Sequence, residues 1–157
     1  MKKLQIVSSA LISVWALLFA SCASFRNAPA EAPTSSLIFS TEKTSQYHVQ
    51  ITTNRRTVTG VMILKHMDGE WRGSLMNEFG VKAFDFAASK KRCTLSNTAA
   101  MLNKWYIRKT IEGDFYFLLW GATQHKRGKS LQRLPEGALL LKNEKRNMTY
   151  LFQPIGL

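Results

Sequence analysis

Asp68 to Ala88, DGEWRGSLMNEFGVKAFDFAA, is the stretch that decides the fold class. It opens on Asp-Gly, the strongest short-range signal for a two-residue hairpin. Trp71 and Leu75 then fall on one face of an extended run that ends near Asn77, and in Lys82 to Ala88 the rings of Phe84 and Phe86 oppose Ala83 and Asp85. Alternation with a period of two is the pattern of a strand with one face buried and the other in water. Two such runs in succession, each bulky on one side, predict an antiparallel sheet.

The same period extends outward. From Ser45, Tyr47, Val49 and Ile51 alternate with Gln46, His48 and Gln50. Thr57 to Lys65 is rich in β-branched residues, with Val61 to Leu64 apolar on both faces, and reads as a second strand. Downstream, Arg92 to Leu95 adds a short fifth strand after the basic turn Lys90-Lys91. The period then changes. Asn97 and Thr98 stand where helix N-caps belong, and Met101, Leu102 and Trp105 recur at helical spacing opposite Asn103, Lys104 and Arg108. Phe115 to Trp120 is wholly apolar or aromatic, which fits a buried strand or a buried helix. Asp114 before it and Gly121 after it sit at cap positions and favour a second short helix. His125 to Lys129 reads as a basic loop, and Ala138 to Leu141 and Met148 to Phe152 as the last two strands, joined by a polar turn through Asn143 to Asn147. Strands, a helical insertion and strands again predict a mainly β (α+β) domain. The expected shape is a curved antiparallel sheet or unclosed half-barrel with a short helical lid.

The N-terminus has a different character. Lys2 and Lys3 precede an almost unbroken run of apolar and small residues from Leu4 to Ala20, the layout of a secretory signal peptide. Its densest part, Leu11 to Ala20, is short of the roughly 20 residues that span a bilayer. The run ends Leu18-Phe19-Ala20-Ser21-Cys22, which resembles a bacterial lipobox, with Phe19 where that pattern usually has Leu. The expected organisation is therefore a signal peptide over 1–21, a lipidated Cys22 with a flexible Ala- and Pro-containing tether over 22–36, and a folded domain over 37–157. Each buried lipid methylene contributes about 0.8 kcal/mol, so the several chains of a lipidated cysteine hold firmly where one holds marginally. With Cys22 acylated, Cys93 has no partner for an intramolecular disulfide. The expected location is the cell envelope, held there by the lipid anchor.

The 157 residues carry 22 Lys and Arg against 10 Asp and Glu, a formal charge of +12. Nucleic acid, an anionic membrane surface or an acidic protein would each match that excess. An export signal argues against nucleic acid, which leaves attraction to a membrane surface beside a merely solvated basic exterior. Motifs for catalysis or metal binding are absent: no Gly-x-Ser-x-Gly, no phosphate-binding glycine loop, no His-Glu-x-x-His, no Cys-x-x-Cys. His48, His66 and His125 are scattered, Asp85 points away from the aromatic side of its strand, and Glu112 and Asp114 suit a helix start. The reading is a protein that is not an enzyme, with no catalytic residues, metal or cofactor. Large apolar side chains are instead in surplus. They fill a core, or they line an apolar-ligand cavity inside a curved sheet. The candidate lining is Tyr47, Val49, Ile51, Trp71, Leu75, Phe84, Phe86 and Trp105.

Gly73 to Phe86, GSLMNEFGVKAFDF, resembles the strand, Asn-x-Leu-Gly turn and following strand of the outer-membrane lipoprotein receptor LolB. Phe115 to Gly121, FYFLLWG, is similar to a segment of that family's lid helices, and Leu134-Pro135 with the two strands after it is similar to its closing strands. The order of elements matches over most of Thr57 to Phe152, although Gly121 to Leu134 leaves no room for the family's extra hairpin. The resemblance implies an unclosed half-barrel with a helical lid over a hydrophobic cavity. It also implies the acyl chains of other lipoproteins, or another lipid, as ligand, and a LolA-like periplasmic carrier as partner. By position in the turn, Phe79 matches the family's apolar membrane-insertion residue. A rival reading is an envelope binding or structural module with a solid core and a basic surface that docks a partner.

Overall fold

The computed structural model describes residues 39–41, 43–121 and 127–156. The signal peptide, Cys22, the tether and His125 lie outside the described residues. Eight strands form one sheet: β1 (Ser45–Thr52), β2 (Thr57–Met67), β3 (Glu70–Met76), β4 (Lys82–Ala88), β5 (Cys93–Ser96), β6 (Lys129–Arg133), β7 (Leu139–Asn143) and β8 (Met148–Pro154). Their spatial order is β5-β4-β3-β2-β1-β8-β7-β6, every neighbour antiparallel. The sheet curls into an open half-barrel, mainly β, with one short helix between β5 and β6.

Local chemistry sets the turns. Asp68 and Gly69 both take positive φ, 51° and 78°, the left-handed pair that a tight hairpin needs, and Met67 pairs with Glu70 across them. At Gly73 a close approach rules out any side chain: a Cβ there would collide with the Ile63 carbonyl and the ring of Phe86. The pleat does the rest. Met62, Leu64, Trp71, Leu75, Phe84, Phe86, Leu139, Leu141 and Phe152 are buried on the concave side, while Gln46, His48, Gln50, Arg72 and Lys142 face water.

The helical segment departs from the sequence reading. A 3-10 turn occupies Ala100–Leu102, and α1 runs from Trp105 to Tyr116, continuing as a π-helical turn over Phe117–Gly121. Two helices were expected, the second capped by Asp114. Asp114 instead lies inside one continuous helix and is fully buried, because its carboxylate finds donors on the sheet and not on a helix terminus. Asn97 and Thr98 likewise stand well before the helix start, which falls at Trp105 with Lys104 at the N-cap making no side-chain cap bond. β6 also differs from expectation, since KSLQR was read as the end of a loop and what followed it. Only Leu131 in that strand is a large apolar residue, too little for a period to show.

α1 bridges the two open edges. On one side Glu112 Oε1 accepts the Leu95 backbone N–H at 3.1 Å, and Arg108 donates to the Leu95 carbonyl at 2.9 Å, so the outer edge of β5 is satisfied by helix side chains. Tyr116 and Trp120 add hydrogen bonds to the carbonyls of Lys90 and Ala88, each 2.8 Å. On the other side Asp114 reaches β6, β7 and β8. An exposed edge invites pairing with another chain, and here the β5 edge is covered.

Candidate functional site

Seven of the eight candidate lining residues face the concave side. Tyr47, Val49, Trp71, Leu75, Phe84 and Phe86 are buried there, and Ile51 is half-buried against the same core. Trp105 is not with them: it opens α1 and is 74% exposed. What covers the other seven is the helix itself. The Phe115 ring sits 5.5 Å from Phe84, 4.9 Å from Phe86, 6.3 Å from Tyr150 and 6.4 Å from Phe152, in edge-to-face contact with all four. Ile111, Leu118 and Leu119 are buried beside it. At one end of the sheet an apolar pocket of about 40 Å³ opens between Val49, Ile51, Val58, Leu75 and Ala83. Pockets that enclose drug-sized ligands measure roughly 300–1,000 Å³, so this one does not admit an acyl chain. The second pocket, about 160 Å³, lies among His48, Gln50, Thr59, Glu78 and Gln153 and is half polar in character.

Phe39, just upstream of β1, was not singled out by sequence. It is 2% exposed and packs edge-on against Tyr47 at 5.5 Å and Trp71 at 5.7 Å, closing the opposite end of the core. It closes the short apolar run Leu37-Ile38-Phe39, which has no alternation to show which side chain is buried.

Two polar clusters complete the picture. Beneath Phe115, Asp114 accepts hydrogen bonds from Asn143 and from the Tyr150 hydroxyl, each 2.7 Å, and pairs with Lys129 Nζ at 2.5 Å. Burial, with the Asp114 charge beside it, pushes the Tyr150 hydroxyl well above its ordinary value, so it remains a donor. On the convex face Asp85 accepts from Ser74 at 2.5 Å, Asn97 at 2.7 Å and Lys82 at 3.0 Å. Burial would raise its carboxyl, but those three hydrogen bonds and the Lys82 charge outweigh it and hold it below the usual carboxylate range. In both clusters each carboxylate oxygen is met by a donor from the protein itself. Cys93 is equally quiet: burial, reinforced by Glu112, pushes its thiol up to about 12, which keeps it protonated and unreactive. Among the described residues no three His, Cys, Asp or Glu side chains gather to hold a metal, and no helix is long and apolar enough to cross a membrane.

Set against protein-family models, curated proteins and solved structures, the chain matches none.

The feature that internal packing does not account for is the β3–β4 turn. Asn77 Oδ1 accepts the N–H groups of Phe79 at 3.0 Å and Val81 at 2.8 Å, and Asn77 N–H closes on the Val81 carbonyl at 2.9 Å. Gly80 supplies the positive φ of 78° that completes the loop. Held in this frame, Phe79 is 90% exposed. The turn is closed by hydrogen bonds to Asn77, and its tip is a bare aromatic ring.

Proposed function

We propose that this is a non-catalytic, lipid-anchored envelope protein, a LolB-like half-barrel whose interior is filled and which acts through its outer surface at a membrane. The observation that carries the reading is how the apolar surface is divided. The aromatic side chains of the concave face are taken up by Phe115 and its neighbours, whereas Phe79 is held in water by a turn built around Asn77 and Gly80. A large apolar side chain gains about 1.5–3 kcal/mol when fully buried, and a bilayer offers that burial without unfolding anything. The resemblance to LolB-like proteins supports the same assignment, because the position is that of their insertion residue. It also supplies the acyl chains of other lipoproteins as cargo and a LolA-like carrier as partner. Binding such a chain on the concave face would require α1 to lift, since its Phe115 ring packs there against Phe84, Phe86, Tyr150 and Phe152.

Phe79→Ala tests the tip. The unlipidated domain 39–157 is suited to this, because its residues carry all eight strands and the helix that covers them. Thermal unfolding should change by less than about 0.5 kcal/mol, as for a surface substitution. Binding to phospholipid vesicles should fall roughly tenfold or more, the share of a buried large apolar side chain. A large loss of melting temperature, or vesicle binding equal to that of the wild type, would end the tip assignment.

The anchor has its own test in the full chain. Cys22→Ala should abolish acylation and either release the protein from the membrane fraction or leave an unprocessed precursor. A variant that is processed normally and still sediments with membranes would show that Cys22 is not the point of attachment.

A further inference from the structure

The end of the half-barrel that carries Phe79 displays far more apolar surface than one ring. Among the described residues, six of the seven exposed large hydrophobic residues lie there: Val58, Phe79, Val81, Met101, Trp105 and Tyr106, with Met67 alone at the other end. Topology brings them together. Val58 pairs with Ile51 beside the β1–β2 turn, and Thr59 Oγ1 donates to Glu78 at 2.7 Å, tying the start of β2 to the turn that bears Phe79. The Ala99 N–H donates to the Ala83 carbonyl at 2.8 Å, which sets the segment entering α1 beside the start of β4. Trp105 and Tyr106 then stand edge to face, ring centres 6.1 Å apart, at 74% and 44% exposure.

Cations ring the same end. Arg55 and Arg56 occupy the β1–β2 turn, Lys104 precedes α1, and Arg146 lies in the β7–β8 turn. All four are exposed, and none pairs with a carboxylate among the described residues. Lys104 at the N-cap also opposes the helix dipole, and the first turn has no acidic residue to compensate. A sequence that breaks its local stability rules at one spot is spending that stability on something else.

We propose that this whole end, and not the Phe79 tip alone, is a docking surface for a bilayer containing anionic phospholipid. The proposal rests on the membrane-contact reading above and adds the surface's extent and the lipid's charge. Phe79, Met101 and Trp105 enter the boundary between headgroups and acyl chains, where the amphipathic rings of Trp and Tyr are favoured. Arg55, Arg56, Lys104 and Arg146 lie level with the phosphates, their stems along the apolar rim and their charges outward. Interleaved apolar and cationic groups match an anionic lipid surface by charge.

The test uses the domain 39–157 with vesicles of phosphatidylcholine alone or mixed with phosphatidylglycerol, read by co-flotation. Binding should be at least tenfold tighter to the mixed vesicles and should weaken as salt rises. Trp105→Ala should weaken it about tenfold, and Arg55→Gln with Arg56→Gln about fivefold for each charge removed. Lys91→Gln with Arg92→Gln, at the opposite end, should leave it unchanged. If the Trp105 and Arg55/Arg56 variants bind like the wild type while Phe79→Ala does not, the extended anionic surface is wrong and the single tip stands. Equal weakening by the Lys91/Arg92 variant would overturn it in favour of diffuse basic attraction. A wild-type domain that ignores both vesicle types would end this proposal and the membrane reading together, and leave the surface to a protein partner.

Discussion

Replacing Asp114 with Ala is expected to destabilise the domain by about 3–5 kcal/mol, the usual cost of removing one member of a buried ion pair. Asp114 is fully buried, and Lys129, whose side chain is 13% exposed, has it as its ion-pair partner. Without the carboxylate, the Lys129 ammonium is left uncompensated under the core, and Asn143 and Tyr150 each lose an acceptor. The variant also cuts the tie between α1 and the β6–β8 half of the sheet. Urea unfolding of the domain measures this directly. The apolar double replacement Asp114→Leu with Lys129→Met is the informative companion, because a buried pair exchanged for packed hydrophobic side chains is often neutral or stabilising. A loss below about 1 kcal/mol for Asp114→Ala, the scale of an exposed pair, would mean that water reaches the cluster and that the helix is not pinned there.

Phe115→Ala is expected to cost a similar amount, about 3–5 kcal/mol, through lost burial and the cavity left behind. The ring is fully buried and stands against Phe84 and Phe86 of β4 and Tyr150 and Phe152 of β8, one strand on each half of the half-barrel. Neighbours on a curled sheet collapse poorly into such a gap, so the loss should fall in the upper part of that range. The same variant separates the two readings of the interior. If the concave face is core, calorimetry shows a large fall in melting temperature. If α1 is instead a lid resting on a lipid site, its ring contributes little to global stability, and the variant should melt near the wild type while binding a fluorescent fatty acid more readily. The second pattern would restore Tyr47, Val49, Ile51, Trp71, Leu75, Phe84 and Phe86 as a ligand lining.

Much of the sheet was legible in the sequence for a local reason. In a strand, successive side chains point to opposite faces, so burial of one face writes itself into the chain every second residue. Tyr47, Val49, Phe84 and Phe86 could be placed together from that rule, and the Asp68-Gly69 turn from its backbone requirement. β6 escaped because its one large apolar residue, Leu131, makes no period. Trp105 was misplaced because helical spacing identifies a face without saying where the helix begins. α1 starts at Trp105 itself, which turns that side chain to solvent.

By itself the sequence determined seven of the eight strands, the buried face of those whose residues alternate, the Asp68-Gly69 hairpin and the presence of a helical insertion between the fifth strand and those that close the sheet. Tertiary structure alone decided what that insertion does. Asp114 could become a buried anchor in place of a cap only because Asn143 and Tyr150, 29 and 36 residues away, arrive at its carboxylate. Whether the concave aromatics enclose space or fill it depended on where Phe115 lands, a contact between elements that no local period encodes. The exposure of Phe79 has the same origin: the turn could be read from Asn77 and Gly80, but a ring at its tip folds under or stands free according to the room beneath the sheet. Here it stands free.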